Sequence, residues 1–390
     1  MERGSSKNSL YHGDNLDILM RHVEDDSVDL VYLDPPFKSN QDFSLSSEPV
    51  ADTEGPAGRV AFGDTWRWDE SAELDLQRAM ESGARIARIL RSLRDLVGET
   101  GMLAYLSMMA PRIGELHRVL KPTGSLYLHC DPSASHYLKL LVDSVFGAKN
   151  FRTEIIWKRG SAHNDTKQGR CQHGRIHDVI LFHGKSDRWT WNPQHTPYDR
   201  EYVESFYRHV EPGTGRRYRL GDLTGPGGAN NGNREYEVLG VTRYWRYTRE
   251  KMEQLIVEGR VVQSRPGAVP AYKRYLDEMP GVPLQDVWTD IRPVGARAAE
   301  RVGYPTQKPE ALLERIIRSS SNTGDLVLDP FCGCGTTLVV ARRLNRRWIG
   351  VDSSRAAIAA TLARLRGDLG ETADSDYRFV EAGEEVSHAR

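Results

Sequence analysis

The chain has 390 residues, 39% hydrophobic and 27% charged, enough for one large domain with an insertion or for two domains. No apolar run approaches the roughly 20 residues of a membrane span, and residues 1–8 lack the apolar core of a signal peptide. With only four scattered cysteines, a disulfide framework is excluded and the cytoplasm is the expected compartment.

Residues 9–12 read as a short strand closed by Gly13-Asp14, followed by a helix around 16–22. Residues 28–33 (VDLVYL) form an apolar run that stops at Asp34-Pro35-Pro36-Phe37. Two successive prolines cannot continue a ladder, so the strand tip is presented in a loop. Residues 41–63 are polar and without period, a long loop of the kind that serves as an active-site lid. Helix-period apolar positions run over 70–96 and 102–120, the second halted by Lys121-Pro122-Thr123-Gly124. A strand is predicted at 125–130, a helix at 134–145 and another strand at 178–182.

From 189 to 280 the pattern loosens around the glycine- and asparagine-rich loop 225–233, which marks an inserted region. After Tyr304 the α/β pattern returns. It comprises an amphipathic helix over 308–319 with Pro309 in its first turn, a strand at 326–328, the turn DPFCGCGTT (329–337) and a helix to 344. A strand at 348–351 then ends at Asp352, before an Ala-rich helix over 354–366 and a strand at 377–380. The expected division is 1–188, 189–280 and 281–390.

The net charge of −1 conceals an asymmetry. Residues 151–275 hold 22 Lys and Arg against 14 Asp and Glu, and residues 151–280 hold 13 of the 24 Trp and Tyr. Basic residues interleaved with aromatics suit phosphates and unstacked bases, although an insertion with its own small core has the same composition. Lys158 and Arg159 are candidate phosphate contacts or a solvated pair.

A glycine turn after a strand lets backbone approach a ligand and aims a helix N-terminus at it. Asp352, 19 residues after Gly333, is well placed to accept both hydroxyls of a ribose. Thr336 and Thr337 stand where a pyrophosphate-binding turn has its third glycine, and Asp329 would repel a pyrophosphate but suits an ammonium. These features favour S-adenosylmethionine over a dinucleotide. In the DPPF loop, Asp34 and the Pro35 carbonyl can each accept one N–H of an exocyclic amine, holding its nitrogen toward a methyl donor. Pro36 stiffens the loop, and Phe37 can stack on a flipped base, worth on the order of 1–3 kcal/mol. Cys332 and Cys334 lack a second pair of ligands, so no metal is expected; His173, His177 and His183 likewise lack a fourth ligand.

With DPPF before DPFCGCGTT, and LKPTGSLYLHCD, NFRTEIIWKR, HDVILF and GYPTQKPEALLERII between them, the chain resembles the β class of amino-DNA methyltransferases. The resemblance implies a circularly permuted Rossmann-like α/β fold, mostly parallel in its sheet with helices on both faces, and S-adenosylmethionine as cofactor. It implies cofactor contacts at Asp329, Pro330, Phe331, Gly333, Gly335 and Thr336, a ribose contact at Asp352, and a segment Thr306, Gln307, Lys308 and Pro309 over the methionine end. Asp14 would sit near the adenine of the cofactor. An aspartate opening the catalytic loop usually accompanies adenine N6 methylation, with cytosine N4 as the alternative.

Methylation of RNA or of a protein glutamine is disfavoured by the order of the two motifs, and a catalytically silent DNA-binding subunit by the intact acids. Double-stranded DNA is the expected partner and a membrane is not. No nuclease motif is present, so any restriction activity belongs to a separate endonuclease; a homodimer is left open.

Overall fold

Six consecutive buried side chains make β2 (Val28–Leu33) a strand covered on both faces, as the interior of a parallel sheet requires. The computed structural model describes residues 8–36, 43–44, 60–62, 65–160, 171, 173–369 and 376–381. These fall into two compact units, Met1–Asn192 with Gln285–Arg390, and Pro193–Leu284.

In the first unit β2 is joined by β1 (Asn8–His12), β3 (Leu120–Cys130), β4 (Phe151–Lys158), β5 (His177–Gly184), β6 (Val287–Trp288), β7 (Leu326–Asp329), β8 (Arg347–Asp352) and β9 (Tyr377–Glu381). Their order is β6-β4-β5-β3-β2-β7-β8-β1-β9. Only β5 runs against its neighbours β3 and β4; every other pairing is parallel. β1 lies between β8 and β9, with Leu10 in register with Gly350 and with Phe379. That placement is the permuted Rossmann-like order.

The helices of this unit are α1 (Asn15–His22), α2 (Glu70–Glu81), α3 (Ala84–Val97), α4 (Gly101–Val119), α5 (Ser135–Phe146), α6 (Glu310–Ser320), α7 (Thr336–Arg343) and α8 (Arg355–Leu369). The main core joins β2, β3 and β5 to the apolar stripes of α2 to α5, including Leu76, Leu90, Leu106, Ile113 and Leu138. Among the described residues no helix is long and apolar enough to cross a membrane.

Three local expectations are corrected. The single helix over 70–96 is two helices, because the Ser82 N–H and hydroxyl both bond to the Ala79 carbonyl and close α2 before Gly83. The Lys121–Gly124 stretch is not a turn ahead of the strand, since β3 already starts at Leu120. Leu120 pairs with Val28 and Ser125 with Leu30, so the extra residues form a bulge. A Cβ at Gly124 would lie 3.0 Å from the Lys121 carbonyl oxygen and 3.1 Å from that of Val28, so the bulge leaves little room for a side chain. Within the presumed loop 41–63, Phe43–Ser44 and Val60–Phe62 pair as antiparallel strands; the rest of that loop lies outside the described residues.

The second unit carries a four-stranded antiparallel sheet of His209–Val210, Arg217–Asp222, Val261–Val262 and Ala271–Tyr275, and a hairpin of Arg234–Val238 with Val241–Trp245. Leu223, Tyr236, Trp245, Met252 and Leu255 give it a small core of its own. Tyr275 lies under the guanidinium groups of Arg216 and Arg260, 3.9 and 5.1 Å from its ring centre.

Candidate active site

β2 and β7 are parallel neighbours, with Leu30 opposite Val327 and Val31 opposite Leu328. The loops that follow them, Asp34-Pro35-Pro36 and the glycine turn from Asp329, therefore leave the sheet side by side at its carboxyl edge. Open α/β sheets bind their ligands at that edge. A cavity of about 390 Å3 opens here, within the range of small-molecule sites.

Asp34, Pro35, Pro36, Thr306, Gln307, Lys308, Asp329, Phe331, Gly333, Thr336 and Asp352 all line this cavity. Pro309, Pro330, Gly335 and Asp14 are not among the lining residues. Pro309 is the N-cap of α6, and the Pro330 carbonyl accepts the Asn15 amide at 2.7 Å. Asp14 caps α1 and pairs with Arg112 at 2.6 Å; it is Arg112 that reaches the wall. Phe37 lies outside the described residues. Lys158 is exposed at the end of β4, and Arg159 Nε lies 2.7 Å from Asp178 Oδ1.

The glycine turn is held by its two acids. Asp329 accepts the Phe331 N–H at 3.1 Å and the Thr337 hydroxyl at 2.5 Å. Burial pushes its carboxyl up to about 7, against the opposing pull of those two bonds. Asp352 accepts the N–H groups of Gly333 and Ser354 at 2.9 and 2.8 Å, and burial raises it to about 6. Gly335 has a φ of 74°, and a Cβ on it would lie 2.8 Å from Thr361 Cγ2. Both conditions demand glycine.

Asp34 Oδ2 accepts Lys308 Nζ at 2.5 Å. Its Oδ1 is buried with no hydrogen-bond partner among the described residues. Gln307 is fixed by bonds to the Val302 N–H and the Glu300 carbonyl, 3.0 and 2.7 Å. Thr306 adopts a φ of 59°, a conformation costly for a β-branched residue and one that clusters at functional sites.

The wall also holds Tyr32, Trp66, Met108, Arg112, Tyr304, Cys332 and Cys334. Met108 and Arg112 are one helical turn apart on α4, a spacing with no signal of its own in the sequence. Trp66 packs edge-on against Tyr105; Trp68 instead lies beneath Arg94. Among the described residues no group of three His, Cys, Asp or Glu is placed to hold a metal.

A family model described as DNA methylase (N6_N4_Mtase) matches residues 28–363. The chain belongs to this family. It is 31% identical over 277 residues to the type II methyltransferase M.EcaI of Enterobacter cloacae, covering 70% of this chain and 60% of that protein. It is 26% identical over 360 residues to the Mod subunit of the type III restriction-modification enzyme StyLTI of Salmonella typhimurium, covering 88% and 51%. The chain thus spans between half and three-fifths of these relatives' lengths.

Among solved structures, PvuII DNA methyltransferase (cytosine-N4-specific) aligns with a TM-score of 0.44 and 14% identity over 97% of each chain. An M1.HpyAVI–SAM complex aligns at 0.41 and 15%, over 92% of this chain and 98% of that one.

Proposed function

We propose that the chain is a site-specific DNA methyltransferase that uses S-adenosylmethionine to methylate an exocyclic amine, most directly adenine N6. The observation that carries this reading is Asp34, whose Oδ1 is buried at the cavity without a partner while Lys308 holds Oδ2. A buried acceptor left open is costly unless a ligand supplies its donor, and an amine supplies two.

The cavity fits the cofactor. A sulfonium and an ammonium are cations, and three carboxylates (Asp34, Asp329 and Asp352) line one cavity. Two of them are raised by burial, so a cation would relieve them. Asp352 would hold the ribose hydroxyls, and Gly333 with Phe331 would let backbone approach. Thr306 to Lys308 would close over the methionine end. When bound, the cofactor supplies an electrophilic methyl group.

The residues of the chain do the rest. Asp34 Oδ1 accepts one N–H of the amine and the Pro35 carbonyl the other, which turns the nitrogen lone pair toward the donor. The same carboxylate stabilises positive charge as it develops on nitrogen, and Lys308 keeps it oriented. An exocyclic amine inside a duplex is out of reach, so the base is flipped. The unit Pro193–Leu284, with its arginines and aromatics, is the candidate reader of sequence. Adenine N6 over cytosine N4 rests on Asp34 opening the catalytic loop. A cytoplasmic location belongs to the same reading, as does a separate endonuclease for any restriction activity, while a homodimer is left open.

The test is transfer of labelled methyl from S-adenosylmethionine to unmethylated plasmid DNA, with the digested nucleosides resolved by mass spectrometry. N6-methyladenine is expected. N4-methylcytosine would overturn the base assignment alone, and the absence of label in DNA would overturn the function.

A further inference from the structure

Three polar side chains on neighbouring strands form a chain beneath the cavity. Tyr32 on β2 lies in register with Tyr127 on β3, and His129, two residues on, shares that face of the strand. His129 is opposite Ile180 on β5, and Asp178 is again two residues away on one face. Tyr32 Oη lies 2.7 Å from His129 Nδ1, and His129 Nε2 lies 3.3 Å from Asp178 Oδ2. The three are 2%, 0% and 2% exposed. Trp157 packs edge-on against the imidazole and is itself anchored on the Ile291 carbonyl at 3.0 Å. Buried polar groups persist where each is satisfied or used, and here the chain ends in the cavity, because Tyr32 is part of its wall.

The direction of the hydrogen bonds follows from the acid. Burial would raise the Asp178 carboxyl, but His129 and then Arg159 hold it below its ordinary value. It is therefore an acceptor only, and His129 Nε2 carries a proton toward it. With the Nε2 proton turned to Asp178, Nδ1 is the nitrogen that faces Tyr32, and the Tyr32 hydroxyl donates to it. The phenol stays protonated, since burial, then Asp34, Asp329 and Asp178 raise it well above the ordinary tyrosine value. With its proton committed to His129, the Tyr32 oxygen has only lone pairs left to offer, and Tyr32 lines the cavity two residues before Asp34, which follows the end of β2.

Methylation of an amine leaves an N–H proton that must go somewhere. Were Asp34 to take it, the ion pair with Lys308 would be lost as the product forms. We propose that Tyr32, positioned by His129 and Asp178, accepts this proton. As the methyl group arrives the nitrogen becomes tetrahedral and one N–H leaves its acceptor for Tyr32; that N–H bond breaks and an O–H bond forms on Tyr32. The original Tyr32 proton passes to His129 Nδ1, and the resulting imidazolium pairs with the Asp178 carboxylate. The proton returns to solvent by the reverse path once product has left. This rests on the cavity being a methyl-transfer site. It makes Tyr32 a catalytic residue, with His129 and Asp178 as positioning residues.

The experiment compares single-turnover methyl transfer to plasmid DNA by the wild type, Tyr32→Phe, Asp178→Asn and the double variant. Cofactor affinity is measured by calorimetry and folding by melting temperature. Tyr32→Phe removes one oxygen and should slow transfer about tenfold or more with cofactor affinity unchanged. Asp178→Asn can donate to His129 Nε2, which reverses the tautomer, and should lose as much. The double variant should lose no more than either single one, as expected for groups that act as a unit. The rate in mixtures of light and heavy water should depend non-linearly on deuterium in the wild type and linearly in Tyr32→Phe.

A wild-type rate in Tyr32→Phe, or additive losses that follow the melting temperature, overturns the relay while leaving the methyltransferase reading intact. A wild type that transfers no methyl group overturns both. If Asp178→Asn fails to fold, Tyr32→Phe and its isotope dependence still decide.

Discussion

Lys308 Nζ meets Asp34 Oδ2 across 274 residues of sequence, fastening the segment before α6 to the loop after β2. The side chains keep 10% and 17% of their exposure, so the pair is partly shielded from water. Removing one partner of a buried pair leaves the other uncompensated. Lys308→Met should therefore cost about 2 kcal/mol of stability, less than the loss from a fully buried pair because of the remaining exposure, and slow methyl transfer. A melting curve and a rate unchanged from wild type would show that the pair is incidental.

Asp34→Asn keeps the size of the side chain but removes its charge. Transfer should fall by on the order of a hundredfold or more, while cofactor affinity stays within a few fold. Isothermal titration beside the transfer assay separates the two. Loss of both together would make the loop structural.

Asp352→Ala should act on the cofactor instead. Losing charge-assisted bonds to two hydroxyls corresponds to roughly a 10- to 100-fold weaker dissociation constant. An unchanged constant would remove Asp352 from the ribose.

The pH dependence has a definite sign. In the folded chain burial lifts Asp329 to about 7 and Asp352 to about 6, both above the ordinary 3.8. Stability from a carboxyl raised in this way is complete below the unfolded value and is lost as pH rises through the folded one. Between about pH 4 and 7, cofactor-free protein should lose this contribution on going to higher pH, and Asp329→Asn should flatten the melting-temperature profile. A cationic ligand prefers the ionised acids, so its affinity should climb over the same window with release of protons. Titration in buffers of different ionisation enthalpy measures that release, and a pH-independent affinity would contradict it.

Gly335→Ala places a side chain at positive φ and within contact of Thr361. A cost of about 1–3 kcal/mol is expected, with weaker cofactor binding as the turn shifts. Calorimetry on the free and loaded protein checks both.

Both signature loops were legible in the sequence because each is a local event, an apolar run ended by proline, which cannot continue a ladder. Gly333 and Asp352 could be read from spacing, since a glycine turn and the end of the next strand are fixed by one crossover. The Tyr32–His129–Asp178 chain could not, because its members meet only through the registry of three strands distant in sequence. Arg112 escaped for the same reason, being one of many arginines on amphipathic helices. The break between α2 and α3 was hidden by an apolar period that runs on across Gly83. The bulge at Gly124 resembled a stop signal, because a proline and a glycine look alike in a turn and in a kinked strand.

β1 makes its ladder only with β8 and β9. During synthesis the residues 8–12 emerge long before those at 347–381, so this strand waits with both edges open until those residues have been made. The wall of the cavity likewise needs β7 and β8 beside β2. Contacts of such long range close late and slowly. A ribosome-bound chain thus carries Asp34 long before it has a place to put the methyl donor, and becomes competent for binding it only when β7 and β8 arrive.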